Sequence, residues 1–143
     1  TAGATYDSDE FAVLDSQGRV HPYAVPLSIR NGNGRNSGKY PIELLNGRTG
    51  QAPLPVGLVV VTEYKAGARW QPRNLSPGQA ILALMANTVA ARRHPEFSLP
   101  ILRRVGARAP AIQTKRDEAS DAARMILRRL GSEAGSADAA AAA

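Results

Sequence analysis

Cysteine is absent from all 143 residues. Neither a disulfide framework nor a thiolate metal site can therefore form. The lack of thiols fits a reducing compartment, so a cytoplasmic location is expected. Aromatic residues make up only 5% of the chain, which leaves aliphatic side chains to build a core. Long apolar runs are missing too. The longest, Val56–Val61, is far too short to span a bilayer. No basic segment followed by an apolar one opens the chain, so no signal peptide is expected. The first residue is Thr rather than Met, and strand-like sequence begins almost at once. The expectation is a piece of a longer protein, of about one domain's length.

Several chemistries lack their motifs. No serine sits in a Gly-x-Ser-x-Gly elbow. His21 and His94 are each followed by Pro, without metal-ligand spacing, and are expected to be packing or surface residues. Asn33–Tyr40 superficially matches a phosphate-binding loop through Gly38-Lys39. Asn33 stands where that motif needs its first Gly, and Tyr40 where it needs a hydroxyl for Mg2+. Pro41 also argues against the helix that must follow.

What is present is charge. The net charge is +6, with basic pairs at Arg92-Arg93, Arg103-Arg104, Lys115-Arg116 and Arg128-Arg129. Spread pairs on helices read as solvated faces, and no zinc-finger spacing or aromatic RNA-binding signature accompanies them. Nucleic acid is therefore not the expected partner, although an anion such as a nucleotide is compatible with the charge. Among the acidic residues, one close cluster stands out. Thr5–Asp15 carries Asp7, Asp9 and Glu10 straight into the apolar Phe11–Leu14. Carboxylates this close repel one another unless a cation sits among them, and a hard cation such as Mg2+ takes oxygen ligands. The alternative is a solvated turn before an ordinary strand.

In chain order, Glu10–Asp15 predicts a strand with Phe11 and Val13 buried. Asp15–Gly18 predicts a turn, and Arg19–Tyr23 the returning arm of a hairpin. Val25–Ile29 is a short apolar segment. Residues 31–55 predict a long loop with a brief ordered piece at Pro41–Leu45. Val56–Tyr64 is the strongest strand signal, β-branched as for a strand buried on both faces. Lys65–Ala68 predicts a hairpin-like connection, and Arg69–Leu75 the strand that returns from it. Ser76, Pro77 and Gln79 predict a capping box opening a helix with Ile81, Leu82, Met85 and Val89 as its apolar stripe. A second helix is expected over Pro95–Val105, burying Phe97, Ile101, Leu102 and Val105. A strand follows over Ala109–Thr114, then a helix over Asp117–Leu130 that Gly131 stops. Residues 131–143 are expected to be a disordered tail. The predicted class is α/β, a mixed sheet with hairpins followed by C-terminal helices.

The run from Ala2 to Asp15, followed by Gly18–Tyr23 and Pro26–Arg30, resembles bacterial HPr-kinase-related proteins. The Leu58–Tyr64 strand, the Gly67–Trp70 turn and the Leu75-Ser76-Pro77 helix opening are similar to that family as well. The resemblance covers roughly residues 2–130 and is most specific in the first thirty. It implies the phosphoenolpyruvate-carboxykinase-like nucleotide-binding fold, present here as an incomplete C-terminal part over residues 1–130. It implies an ATP-dependent phosphotransferase using Mg2+ and ATP, whose phosphate loop would precede Thr1. By similarity Asp9 is the candidate base toward an unknown phosphoryl acceptor. Glu10, with Asp9, is the candidate metal partner, and Arg30 the candidate phosphate contact. Glu10 departs from the family's second Asp by one methylene. No membrane partner is expected, and a homo-oligomer is left open. A non-catalytic interaction module that keeps the fold is the alternative.

Overall fold

Short strands and tight turns dominate the N-terminal third of the chain, and longer elements the rest. The computed structural model describes residues 4–30 and 37–141. The expected turn at Thr1–Gly3 and the Asn31–Asn36 part of the long loop lie outside the described residues. The described elements are mixed α/β, with three small sheets and three α-helices. The chain divides into two compact units, Thr1–Pro55 and Val56–Ala143.

In the first unit, β1 (Val13–Leu14), β2 (Arg19–His21) and β5 (Leu54–Pro55) form one antiparallel sheet in the order β1-β2-β5. The predicted hairpin is present, with Val13 opposite His21 and Leu14 opposite Val20. Its turn works because Gly18 adopts φ 77°, open to glycine at little cost. The Asp15 carboxylate also accepts from the Gln17 and Arg19 amides at 2.8 and 2.9 Å. Pro22, lacking a donor N–H, stands just past the end of β2. A second hairpin joins β3 (Leu27–Arg30) to β4 (Ser37–Tyr40). Two expectations change here. Parts of the predicted 31–55 loop are strands, because pairing with β2 and β3 overrides the local turn propensity. Phe11 and Val13, expected inside, are 57% and 43% exposed, since β1 is a two-residue edge strand. The ordered piece inside the loop is a 3-10 turn over Ile42–Leu45, closed by Asn46 at φ 55°.

In the second unit, β6 (Val59–Tyr64), β7 (Arg73–Asn74) and β8 (Ala111–Arg116) form a sheet in the order β6-β8-β7. The predicted β6–β7 hairpin is not formed. β8 lies between them, parallel to β6 and antiparallel to β7. The Lys65–Ala68 turn is instead tied to the far end of β8. The Lys65 amide donates to the Arg116 carbonyl at 2.9 Å, and the Gly67 amide to Asp117 Oδ2 at 3.0 Å. The strand with the deepest core is accordingly β8, with Ala111, Ile112 and Thr114 buried, and Ile112 completely so. β6 buries only Val59.

A parallel pair needs a long crossover, and α1 (Pro77–Ala86), a 3-10 turn at Val89–Arg92 and α2 (Pro95–Arg108) supply it. The α1 capping box forms as the sequence predicts. Ser76 Oγ accepts from the Gln79 amide, and Gln79 Oε1 from the Ser76 amide. Gly106 brings α1 and α2 together, because a Cβ there would meet Ile81 Cγ1 at 2.7 Å and the Pro77 carbonyl at 3.4 Å. The buried face of α1 differs from the predicted one, whereas that of α2 keeps Leu102 and Val105 as expected and loses Phe97. Ala80 is the buried residue of α1, whereas Leu82 and Val89 are each 71% exposed. On α2, Ser98, Leu102, Val105 and Gly106 are buried and Phe97 is exposed. Ala80 and Gly106 allow the close approach of these helices, and Leu82 on α1 and Phe97 on α2 are left outside the contact. α3 spans Ala119–Ala141, beyond the stop predicted at Gly131. The alanine-rich sequence that follows has the highest helix propensity of any residue type, enough to offset a single glycine.

Candidate functional site

Tyr6 and Asp7 anchor the acidic segment. Tyr6 makes a parallel bridge with Thr49; its amide donates to the Arg48 carbonyl at 2.7 Å, and its carbonyl accepts from the Gly50 amide at 3.0 Å. The Tyr6 hydroxyl donates to the Val25 carbonyl at 2.9 Å, and the Tyr23 amide donates to the Asp7 carbonyl at 2.7 Å. A short extended piece is thus clamped from two later parts of the same unit. A cavity of about 80 Å³ lies beside the clamp, lined by Tyr6, Val25, Ile42, Glu43 and Thr49 among others.

The clamp splits the acidic cluster. Asp7 turns inward against Gly50, where any Cβ would collide with Asp7 Oδ1. That oxygen is buried and accepts no hydrogen bond. An unsatisfied buried acceptor costs about 1–3 kcal/mol. Ser8 Oγ donates to the Phe11 carbonyl and closes a bend, at whose tip Asp9 and Glu10 are exposed. The Tyr6 phenol has its pKa raised, first by desolvation and then by the Asp9 charge.

Arg30 ends β3, paired with Ser37; its side chain lies outside the described residues. Lys39 stands on strand β4 rather than at the start of a helix, in keeping with the failed phosphate-loop pattern. Both histidines have local polar partners. His21 Nε2 is 3.1 Å from Asp15 Oδ2, and His94 Nδ1 is 3.4 Å from Glu96 while its ring stands edge-on to Phe97.

Mg2+ characteristically takes one or two carboxylates and completes its shell with water and phosphate oxygens. Adjacent, solvent-facing Asp9 and Glu10 fit that requirement. A closed protein cage is another matter: among the described residues, no group of three or more His, Asp or Glu side chains is placed to hold a metal. The phosphate-binding pattern Gly-x4-Gly-Lys-Ser/Thr does not occur in the sequence, so these residues do not supply a loop of that type for ATP. The inward turn of Asp7, its seat on Gly50 and the clamp through Tyr6 have no local signal in the sequence. Only the pairing of distant segments creates them.

The second unit holds a separate polar recess of about 330 Å³ on its sheet. Val61, Gln113 and Arg73 align across the three strands, and Glu63 with Lys115 forms the next row on that face. Arg73 donates to Gln113 Oε1, and Lys115 Nζ lies 3.9 Å from Glu63.

Comparison with protein-family models, with curated proteins and with solved structures returns no match. Among the described residues, no helix is long and apolar enough to cross a membrane.

Proposed function

We propose that the chain supplies the acidic part of an HPr-kinase-like phosphotransferase site, in a cytoplasmic protein whose phosphate-binding loop lies outside these 143 residues. The observation that carries this reading is the exposed Asp9–Glu10 bend held on the Tyr6–Gly50 clamp. Two carboxylates at the tip of an anchored segment are open to solvent and to a substrate. Asp9 would accept the proton of an acceptor hydroxyl, and Glu10 would contact Mg2+. The metal, when bound, neutralises charge on a phosphoryl group. Arg30 is the proposed phosphate contact. No step through ATP follows from this chain alone, because its sequence lacks the Gly-x4-Gly-Lys-Ser/Thr loop that would hold the nucleotide phosphates.

The test is calorimetric titration with Mg2+ and with Mn2+ on the chain as it stands and on Asp9→Asn and Glu10→Gln. Weak binding is expected, because two carboxylates leave most of the Mg2+ shell to water, and each substitution should weaken it. Phosphotransfer from ATP is expected only when a segment carrying Gly-x4-Gly-Lys-Ser/Thr is joined upstream. Mg2+ binding unchanged in both variants would remove the reading. The competing reading, a non-catalytic interaction module, is favoured by the missing phosphate cradle. It gains if the extended, folded chain ignores ATP.

A further inference from the structure

The charge of this protein is not evenly spread. Residues 77–108, which contain α1 and α2, carry five arginines against one glutamate, so +4 of the chain's +6 belongs to this segment. α1 itself has no charged residue. On α2 the buried residues Ser98, Leu102, Val105 and Gly106 define the inward face. The outward face follows helical spacing, with Phe97, Pro100, Arg104 and Arg108 at i, i+3, i+7 and i+11, and Arg103 and Ala107 alongside.

That outward face borders a groove of about 500 Å³ between the helices, lined by Ile81 of α1 and by Pro100, Arg103, Arg104, Ala107 and Arg108 of α2. Ile81, Pro100 and Ala107 make its apolar lining, and three arginines, Arg103, Arg104 and Arg108, share it. Arg103 and Arg108 are exposed and no carboxylate pairs with them among the described residues. Phe97, 70% exposed, stands one turn before Pro100 on the same face. Beside the groove, Gly106 lets α2 approach α1 closely at Ile81, one of the groove's lining residues.

We infer that this groove docks an acidic, amphipathic peptide segment of a partner protein. The complementarity is chemical and specific to such a partner. An apolar recess is filled by an apolar side chain, and guanidinium groups take carboxylates as bidentate partners. A flat lipid surface would meet the protruding Phe97 but leave the groove of Ile81, Pro100 and Ala107 unfilled. A nucleic acid would satisfy the arginines and leave the apolar lining unfilled. The groove belongs wholly to the second unit, and its assignment is independent of the phosphotransfer reading above.

Fluorescence anisotropy of the full chain with a labelled peptide tests the inference. The probe is a helix-forming peptide of about 16 residues with Leu at i, i+3, i+4 and i+7 and Glu elsewhere; the control carries Ser in place of Leu. The expected result is saturable binding of the Leu peptide, at least about tenfold tighter than the Ser control. Arg103→Glu with Arg108→Glu should weaken it about tenfold or more. Ala107→Tyr, which fills the groove from an exposed helix position, should weaken it about fivefold. Arg124→Glu with Arg128→Glu, an equal charge change on α3, should change it less than about twofold. Equal affinity for the Leu and Ser peptides would overturn the inference, as would equal losses from the two charge pairs or no binding at all. Tighter, Ala107→Tyr-sensitive binding of a single-stranded oligonucleotide, or of vesicles of phosphatidylcholine and phosphatidylserine, would reassign the groove to that ligand instead.

Discussion

The two units of this chain are held together by different physics. All the buried apolar residues among the described positions, from Val59 to Ala122, lie in the second unit. The first unit offers strands of two to four residues and leaves Phe11, Tyr23, Leu44 and Leu54 more than half exposed. It is ordered by backbone pairing, by the Asp15 turn and by the Tyr6 clamp. Hydrogen bonds exchanged with water contribute about 0.5–1.5 kcal/mol each, whereas a fully buried Val, Leu or Ile, such as Leu102, Val105 or Ile112, contributes about 1.5–3 kcal/mol. The acidic site therefore sits on the softer unit and the basic groove on the firmer one. Binding surfaces commonly occupy the less stable parts of a fold.

The largest effect should come from the centre of the second unit. Ile112→Ala is expected to cost about 3 kcal/mol, read as a shift in the urea midpoint by circular dichroism. A loss below about 1 kcal/mol would mean that β8 is not the core strand. Gly106→Val comes next, at about 2 kcal/mol from overpacking against Ile81 and the Pro77 carbonyl; the same melt measures it. Removing the cap with Ser76→Ala should cost about 1 kcal/mol. Leu54→Ala, in the first unit, should fall within about 0.5 kcal/mol because the side chain is already half in water. Were it to match Ile112→Ala, the contrast between the units would be wrong.

A pH measurement sharpens the polar side of the comparison. The Asp15 carboxyl is held well below the usual carboxylate range, chiefly by the Arg19 amide, with the His21 ring, the Arg19 side chain and the Gln17 amide adding to it. A depressed folded pKa stabilises the fold above the unfolded value, about 4. That stability is lost as pH falls from there through the folded value. Carbon-detected NMR should therefore show Asp15 titrating below the other carboxylates. Asp15→Asn should flatten the acid limb of first-unit stability, leaving second-unit amide exchange unchanged. Ordinary titration of Asp15 would show that the Asp15–Arg19 bonds do not hold the turn in solution.

Local signals in the sequence predicted local structure well. The Asp15–Gly18 turn, the Ser76-Pro77-Gln79 helix start and the start of α2 at Pro95 each involve partners within four residues. Their chemistry can be read without knowing the rest of the fold. The burial faces of the helices were less legible. α1 is apolar on nearly every side, and the face it turns inward is chosen by Gly106, far away in sequence. The acidic cluster was visible, but its division into an inward Asp7 and an outward Asp9–Glu10 pair was not, because Gly50 and Tyr23 impose it.

The sequence by itself determined the caps, the turns, the class of secondary structure and the concentration of arginine between residues 77 and 108. Tertiary structure alone decided that β8 enters between β6 and β7, that Ile112 rather than the valine run lies deepest, and that Asp7 packs against Gly50. It also assembled the groove from α1 and α2. The physical reason is range. Caps and turns are closed by bonds within one turn of the chain, whereas strand order and helix approach depend on distant segments that compete for the same neighbours.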